Sequence, residues 1–238
     1  MRIITGIYKG RRFDIPRSFK ARPTTDFAKE NIFNVLNSYI DLEGVRALDL
    51  FAGTGSISLE LLSRGCSQVV SVEADRDHAR FIGECVRKLG VTNHQLIRGD
   101  VFRYLKSAQK SSTLTRGSAA LPAAQQPYTA EGPYTTQSGR ARGSATLPAA
   151  QQPYTSEGLY TPQSGHARGS AAFSFIFADP PYALPNLPDI PDLVLQSGIL
   201  APGGVFVFEH GKQNDFSSHP CFREHRAYGS VNFTIFTT

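Results

Sequence analysis

Asp179-Pro180-Pro181-Tyr182 follows directly on the apolar run FSFIFA, and its residue types suit one kind of reaction. Two prolines remove backbone N–H donors and restrict the residue before each to extended conformations, so the segment offers carbonyls and a carboxylate outward. An exocyclic base amine is a poor nucleophile because its lone pair is delocalised into the ring. An enzyme acting on it must hold the amine hydrogens and free the lone pair toward an electrophile, and the Asp179 carboxylate and Pro180 carbonyl are acceptors suited to that. Tyr182 would stack on a base flipped out of its stack or presented in a single-stranded loop. Guanine places N1–H and N2–H side by side, a donor pair that an acceptor-only carboxylate can take, so Asp179 mildly favours guanine. Taken alone, the four residues also read as a turn with a capping Asp.

A second group of residues suits a nucleoside-bearing ligand. The run Asp49-Leu50-Phe51-Ala52-Gly53-Thr54-Gly55-Ser56 places two glycines where a strand turns into a helix, so a ligand can approach the backbone closely. The third glycine of the dinucleotide fingerprint is replaced by Ser58. Glu73 closes the next strand, near the spacing expected of a carboxylate that accepts from a ribose hydroxyl pair. Asp75 beside it reads as a helix cap. Asp100 in RGDV closes a third strand and can reach an adenine amine. Each carboxylate alone also reads as a cap or loop solubiliser; together at successive strand ends they point to a nucleoside. No metal-binding cluster is visible, and Glu209-His210, ending the fifth strand, reads as structural.

These residues need elements that bring them to one rim. Asp26 is expected to cap a helix through FAKENIFNVLNSYI, where Phe27, Ile32, Phe33, Leu36 and Ile40 fall near helical spacing. Strand and helix then alternate: VRALDLF, SISLELLSRG, QVVSVEA, RDHARFIGECVRKLG and HQLIRGD, followed by VFRYLK, FSFIFADPP, PDLVLQSGIL, GGVFVFEH and a C-terminal pair near FREHRAYG and SVNFTIFTT. The pattern predicts an α/β fold, a mostly parallel sheet with helices on both faces and a C-terminal antiparallel hairpin, and ligands beyond the carboxyl ends of the strands.

Arg116 to Ala141 is followed at once by a second copy from Arg142 to Ala167, with 21 of 26 positions identical, and a third start follows at Arg168. The unit is rich in Pro, Gly, Ser, Gln and Ala without helical or strand periodicity, so residues 107–172 are expected to be a disordered tandem-repeat insertion. Residues 27–106 and 173–238 then form one domain. Of the net charge of +5, all is accounted for by residues 1–26, where seven basic side chains meet only Asp14 and Asp26. A basic arm of that kind reads as a footprint for a polyanion, nucleic acid first. No apolar run reaches the roughly 18 residues of a membrane span, and no signal-peptide pattern opens the chain, so a cytoplasmic location is expected. Cys66, Cys85 and Cys221, widely spaced and without a CxxC pair, are expected as reduced packing residues.

With these residues in view, the chain resembles the class I methyltransferases that use S-adenosylmethionine, and among them the RsmD type, which methylates N2 of a guanine in small-subunit (16S) ribosomal RNA. The matching stretches are MRIITGIYKGRR, RPTTDFAKENIFNVL, LDLFAGTGSISLELLSRG, VEADRD, RGDVF, FIFADPPY, GGVFVFEH and RAYGSVNFTIF. The resemblance implies a Rossmann-like fold with a seven-stranded sheet. It implies that Asp49, Phe51, Gly53 and Gly55 line the methionine side of the cofactor, that Glu73 holds its ribose, and that Asp100 with Val101 meets its adenine. It places the guanine at Asp179, Pro180, Pro181 and Tyr182, closes Arg22, Pro23, Thr24 and Thr25 over cofactor and target, and gives Lys9, Arg11 and Arg12 to RNA. It further implies a monomer acting on the 30S subunit or a late assembly intermediate. Three alternatives stay open: a DNA adenine-N6 methyltransferase, which normally brings a separate target-recognition domain; a nicotinamide-dependent oxidoreductase, which leaves Asp179 to Tyr182 unexplained; and a catalytically silent nucleic-acid-binding homologue.

Overall fold

The structure is a computed structural model that describes residues 1–19, 25–116 and 172–238. After an N-terminal hairpin the described elements run α1 (Asp26–Leu36), β1 (Arg46–Leu50), α2 (Ser56–Ser63), β2 (Gln68–Glu73), α3 (Arg76–Leu89), β3 (His94–Arg98), α4 (Val101–Arg116), β4 (Phe173–Ala178), a 3₁₀ turn (Leu187–Asp189), α5 (Ile190–Gln196), β5 (Leu200–His210), β6 (Phe222–Tyr228) and β7 (Val231–Thr237). One seven-stranded sheet orders them β3-β2-β1-β4-β5-β7-β6. The first five strands are mutually parallel, and β7 is antiparallel to both β5 and β6, as the alternation of elements predicts.

The central strands read as unbroken apolar runs because both their faces are covered. Successive residues of β4 go to opposite sides: Phe175 and Phe177 join Ile32, Phe33 and Leu36 of α1 and Phe81 and Cys85 of α3, whereas Ile176 and Ala178 join Leu105 of α4 and Ile190 and Val194 of α5. Chain order reverses between β1 and β4, because β2 and β3 lie to one side of β1 and β4 lies to the other. Such a reversal opens a crevice at the carboxyl ends of the two strands.

The first 13 residues are more ordered than a charged arm implies. Arg2 and Arg12 form an antiparallel bridge, and amide bonds from Ile3 to Arg11, Gly10 to Ile3 and Phe13 to Met1 close a hairpin. Ile3 and Phe13 are buried in the core. The hairpin is fastened to α2 through the backbone: the Ile7 amide donates to the Ser63 carbonyl at 2.8 Å and the Tyr8 amide to its hydroxyl at 3.0 Å. Gly6 makes this approach possible. Its φ is +84°, and a Cβ there would stand 1.8 Å from the Ser63 carbonyl oxygen. Left-handed strain and overpacking together give Gly6→Ala an expected destabilisation of about 2 to 5 kcal/mol. Urea unfolding checks this, and a midpoint matching the parent would show that the hairpin does not sit against Ser63.

Three local boundaries differ from the sequence expectation. The cap of α1 is Thr25, whose side chain accepts from the Ala28 amide; Asp26 is the first helical residue and pairs with Arg2 at 3.3 Å. The helix ends at Leu36, before the NSYI segment. Helix α4 continues to Arg116, past the point at Ser107 where the insertion was expected to begin. Apart from Arg116, the two repeat copies that run to Ala167 and the third start at Arg168 lie outside the described residues. Cys66 and Cys85 are free and buried, and burial pushes both thiols up to about 12; Cys221 is free and half-buried.

Candidate active site at the strand-end crevice

The loop after β1 owes its shape to three left-handed residues: Phe51 at φ 61°, Gly53 at 55° and Gly55 at 74°. Two are glycines, which adopt this region freely; Phe51 does so at a cost of about 1 to 2 kcal/mol. Its ring packs edge-on against Phe102 of α4 at 6.2 Å. Gly55 also touches α3 closely, since a Cβ there would meet Ile82 Cγ1 at 3.0 Å. The Ala52 amide donates to the Val72 carbonyl at 3.0 Å, so the loop turns back across β2.

Glu73 fixes this loop to the rim. One carboxylate oxygen accepts the Gly53 amide at 2.6 Å and the other the Asp75 amide at 2.7 Å. Its carboxylate thus lies at the mouth of the glycine turn, each oxygen engaged by a backbone amide. Asp75 caps α3 as expected, accepting from Asp77 and His78. Asp49 lies beneath the loop, 1% exposed. One of its oxygens accepts from the Ser58 amide at 3.0 Å and from the Ser58 hydroxyl at 2.5 Å, and the chain of contacts continues through Ser71 to His94. Burial pushes the Asp49 carboxyl up to about 7 against the pull of Ser58, and burial lowers His94 to about 4. The serine that replaces the third fingerprint glycine is thus the anchor of Asp49. Asp100 is exposed and caps α4, accepting the Arg103 amide at 2.9 Å, and Val101 is buried behind it.

Asp179 reaches the same rim by strand pairing. Leu50 stands beside Ala178 in the β1–β4 register, and the Asp179 amide donates to the Leu50 carbonyl at 3.3 Å. The proline-restricted segment therefore starts one residue from the glycine turn. Pro180 is buried, Pro181 is exposed and Tyr182 is 38% exposed. The Tyr182 hydroxyl donates to the Glu209 carboxylate at 3.0 Å, at the end of β5. Burial, with the carboxylates of Glu209 and Asp179, raises the tyrosine above the ordinary phenol value, so its hydroxyl stays protonated as a donor. Glu209 is 3% exposed. Its neighbour His210 is held between the Gly211 carbonyl and Thr234, in the structural role expected of it, and burial lowers its pKa.

The rim thus brings together Gly53, Gly55, Glu73, Asp100 and Asp179 to Tyr182. It does not bring Lys9, Arg11 and Arg12 there. They are exposed on the hairpin, and Arg11 and Arg12 line a groove of about 370 Å³ shared with Glu84, Cys85 and Lys88 of α3, a groove that none of the rim residues lines. Arg22 and Thr24 lie outside the described residues, and Thr25 is the α1 cap. Sequence reasoning missed two charged residues with no exposed surface, Lys29 and Glu60, and undervalued Glu209. Among the described residues no His, Cys, Asp and Glu cluster could hold a metal ion, and no helix is long and apolar enough to cross a membrane.

The profile of a family described as Conserved hypothetical protein 95 matches residues 1–116 and 155–237. The chain is similar to a putative rRNA methyltransferase, YlbH, of Bacillus subtilis, at 41% identity over 118 residues, covering 49% of this chain and 63% of that protein. It is similar to ribosomal RNA small subunit methyltransferase D of Escherichia coli at 34% identity over 112 residues, covering 47% of this chain and 54% of that protein. The matched region therefore spans less than two thirds of these relatives. In three dimensions it resembles a solved structure of a putative methyltransferase, yhhF, from Escherichia coli, with a TM-score of 0.65 at 20% identity, covering 100% of this chain and 97% of that one. That likeness gives the fold: a Rossmann-like class I methyltransferase sheet closed by an antiparallel C-terminal hairpin.

Proposed function

Since the chain belongs to the Conserved hypothetical protein 95 family, the RsmD-type methyltransferases, we propose that it transfers a methyl group from S-adenosylmethionine to the exocyclic N2 of a guanine in 16S ribosomal RNA. The observation that carries this reading is the junction of Asp179 to Tyr182 with the glycine turn, joined by the bond between the Asp179 amide and the Leu50 carbonyl. An acceptor set for an amine and a turn open to a nucleoside meet at one crevice. Bound there, S-adenosylmethionine would supply an electrophilic methyl whose bond to sulfur breaks as the bond to N2 forms; the proton that N2 must then lose is acidic enough to pass to the Asp179 carboxylate or to solvent, so no strongly basic side chain is needed.

The residues of the chain divide the remaining work. Gly53 leaves room for the methionine side while Gly55 shapes the turn and lets Ile82 of α3 close against it, Glu73 accepts from the ribose hydroxyls, and Asp100 with Val101 borders the adenine. Phe51 and the buried Asp49 hold the turn in shape, Asp49 through Ser58. The Asp179 carboxylate and Pro180 carbonyl accept the hydrogens of the guanine edge and orient the N2 lone pair, an alignment that governs the rate. Tyr182, anchored by Glu209, gives the base a stacking face. The hairpin grips RNA phosphates through Lys9, Arg11 and Arg12. The substrate is 16S rRNA within the 30S subunit or a late assembly intermediate, and the enzyme acts as a cytoplasmic monomer.

The test is nucleoside mass spectrometry after incubation with S-adenosylmethionine and 30S subunits lacking N2-methylguanosine. New N2-methylguanosine made by the intact chain and not by Asp179→Ala supports the reading, and a different methylated nucleoside, or none, refutes it. Two finer predictions attach to it. Tyr182→Phe keeps the ring and loses its anchor, a hydrogen bond to a charged group worth about 1.5 to 3 kcal/mol, so kcat/KM should fall at least about tenfold. Tyr182→Ala also loses stacking worth about 1 to 3 kcal/mol and should fall further. Steady-state kinetics separates the two, and an unchanged Tyr182→Phe would remove the anchor from the mechanism. Replacing Arg11 and Arg12 by alanine should flatten the plot of log affinity against log salt by about 1.4, two phosphate contacts at about 0.7 each. An unchanged slope in filter binding would take them off the RNA.

A further inference from the structure

The mechanism leaves unused a buried charge cluster beneath the glycine turn. Lys29 of α1 donates from Nζ to the Arg2 carbonyl at 2.7 Å and to the Ser56 hydroxyl at 3.0 Å, and lies 3.8 Å from a Glu60 carboxylate oxygen. Glu60 of α2 accepts the Ile4 and Thr5 amides at 2.8 and 3.0 Å, one on each oxygen, and takes Arg64 Nε at 3.0 Å. Neither Lys29 nor Glu60 has exposed surface. Desolvation pulls the Lys29 pKa below that of a free lysine, opposed by Glu60. Apolar residues of similar volume hold helices together as well as buried ion pairs do, so packing alone does not account for charges at these positions.

What the cluster does is join two parts of the site. Ser56 is the first residue of α2, directly after Gly55 of the cofactor turn, and Arg2 stands in the hairpin strand bridged to Arg12. One buried ammonium therefore holds the hairpin backbone on one side and the start of the cofactor helix on the other. We propose that Lys29 is a positioning residue that couples the N-terminal hairpin to the glycine turn, so that RNA held by the hairpin and cofactor held by the turn strengthen each other's binding. This rests on the proposed function. A displacement of the hairpin on α2 would draw the Arg2 carbonyl, and Lys29 with it, away from Ser56. RNA that fixes the hairpin fixes Ser56, and linkage makes the effect reciprocal.

The test measures the affinity of radiolabelled S-adenosylhomocysteine by equilibrium dialysis, with and without saturating unmethylated 30S subunits. For the intact chain the subunits should tighten binding by about fivefold or more, in the range usual for coupled sites. Ser56→Ala removes only the turn-side acceptor; it should stay folded, with a melting temperature a few degrees lower because a buried donor loses a partner, and bring the ratio to within about twofold of one. Lys29→Met should do the same where it folds, and Ser56→Ala decides alone where it does not. A ratio of one in the intact chain, or the same elevated ratio in Ser56→Ala, overturns the coupling. An intact chain that binds neither S-adenosylhomocysteine nor 30S subunits overturns the functional reading along with it, a result distinct from binding of both without linkage.

Discussion

Asp179→Ala is expected to slow methyl transfer by about 10²- to 10³-fold, the usual cost of removing one preorganised polar group from a reacting centre, while leaving S-adenosylhomocysteine affinity within about threefold of the parent. The separation follows from how Asp179 is held. Its amide bond to Leu50, which ties β4 to the glycine turn, belongs to the backbone and survives the substitution. Gly53, Gly55 and Glu73 keep their arrangement, because the Gly53 amide and the Glu73 carboxylate form their own bond. What is lost is the acceptor facing the target, together with the charge that bears on Tyr182. Asp179→Asn tests the chemistry more finely: it keeps the shape but turns one acceptor into a donor, which opposes the amine hydrogens. Single-turnover rates with saturating cofactor decide the matter. A rate within threefold of the parent would remove Asp179 from the reaction, and a parallel loss of cofactor affinity would move it to the cofactor side of the crevice.

Glu60→Ala should be the most destabilising single substitution considered, costing about 3 to 5 kcal/mol, because removing one member of a buried ion cluster leaves the others uncompensated. The Lys29 ammonium, Arg64 Nε and the Ile4 and Thr5 amides all lose a partner together. Arg64 retains its seat over the Phe33 ring, 4.3 Å from the centroid, so the loss falls mainly on Lys29 and the hairpin. For a domain of this size the melting temperature should drop by roughly 10 °C. Adding Lys29→Met to Glu60→Ala removes the stranded cation and should recover part of the stability. A Glu60→Ala variant within about 1 kcal/mol of the parent in urea unfolding would show that the cluster is held together by packing around it.

How much of this was legible in the sequence depended on whether a signal was local. The sheet order follows from elements that announce themselves: FSFIFA is apolar at every position but Ser174 because β4 is covered on both sides, and the glycines of the turn stand where positive φ is needed. Asp179 could be placed at the rim because it ends such a strand. The hairpin was not legible, since its partner Glu60 lies 56 positions from Ile4 and nothing in MRIITGIYKGRRF names it. A signal for Lys29 was nevertheless present. Positions 29, 32, 33 and 36 form one helical stripe, and a lysine on the face that carries Ile32, Phe33 and Leu36 is a charge placed in a core. Glu209 carried the same mark within VFVFEH. Thr25 and Asp26 show the limit of composition: both residue types cap helices, and only the backbone at Thr25 decides between them.

The position of β4 between β1 and β5 also bears on how the chain reaches its native state. Strands β1 to β3 can pair among near neighbours in sequence, and β5 to β7 likewise, but the seam between Leu48 and Ile176 closes only when two distant parts of the polypeptide meet. Residues 117–171 lengthen that separation by roughly three quarters, which adds only about 0.5 kcal/mol to the entropy of closure. Contacts so far apart in sequence are costly in the transition state, and shortening the repeats should speed refolding by at most about twofold and stabilise the native state by about the same 0.5 kcal/mol. In a chain synthesised from its N-terminus, β1 to β3 are available to pair well before β4, and the edge of β1 that β4 covers in the native sheet is open until then.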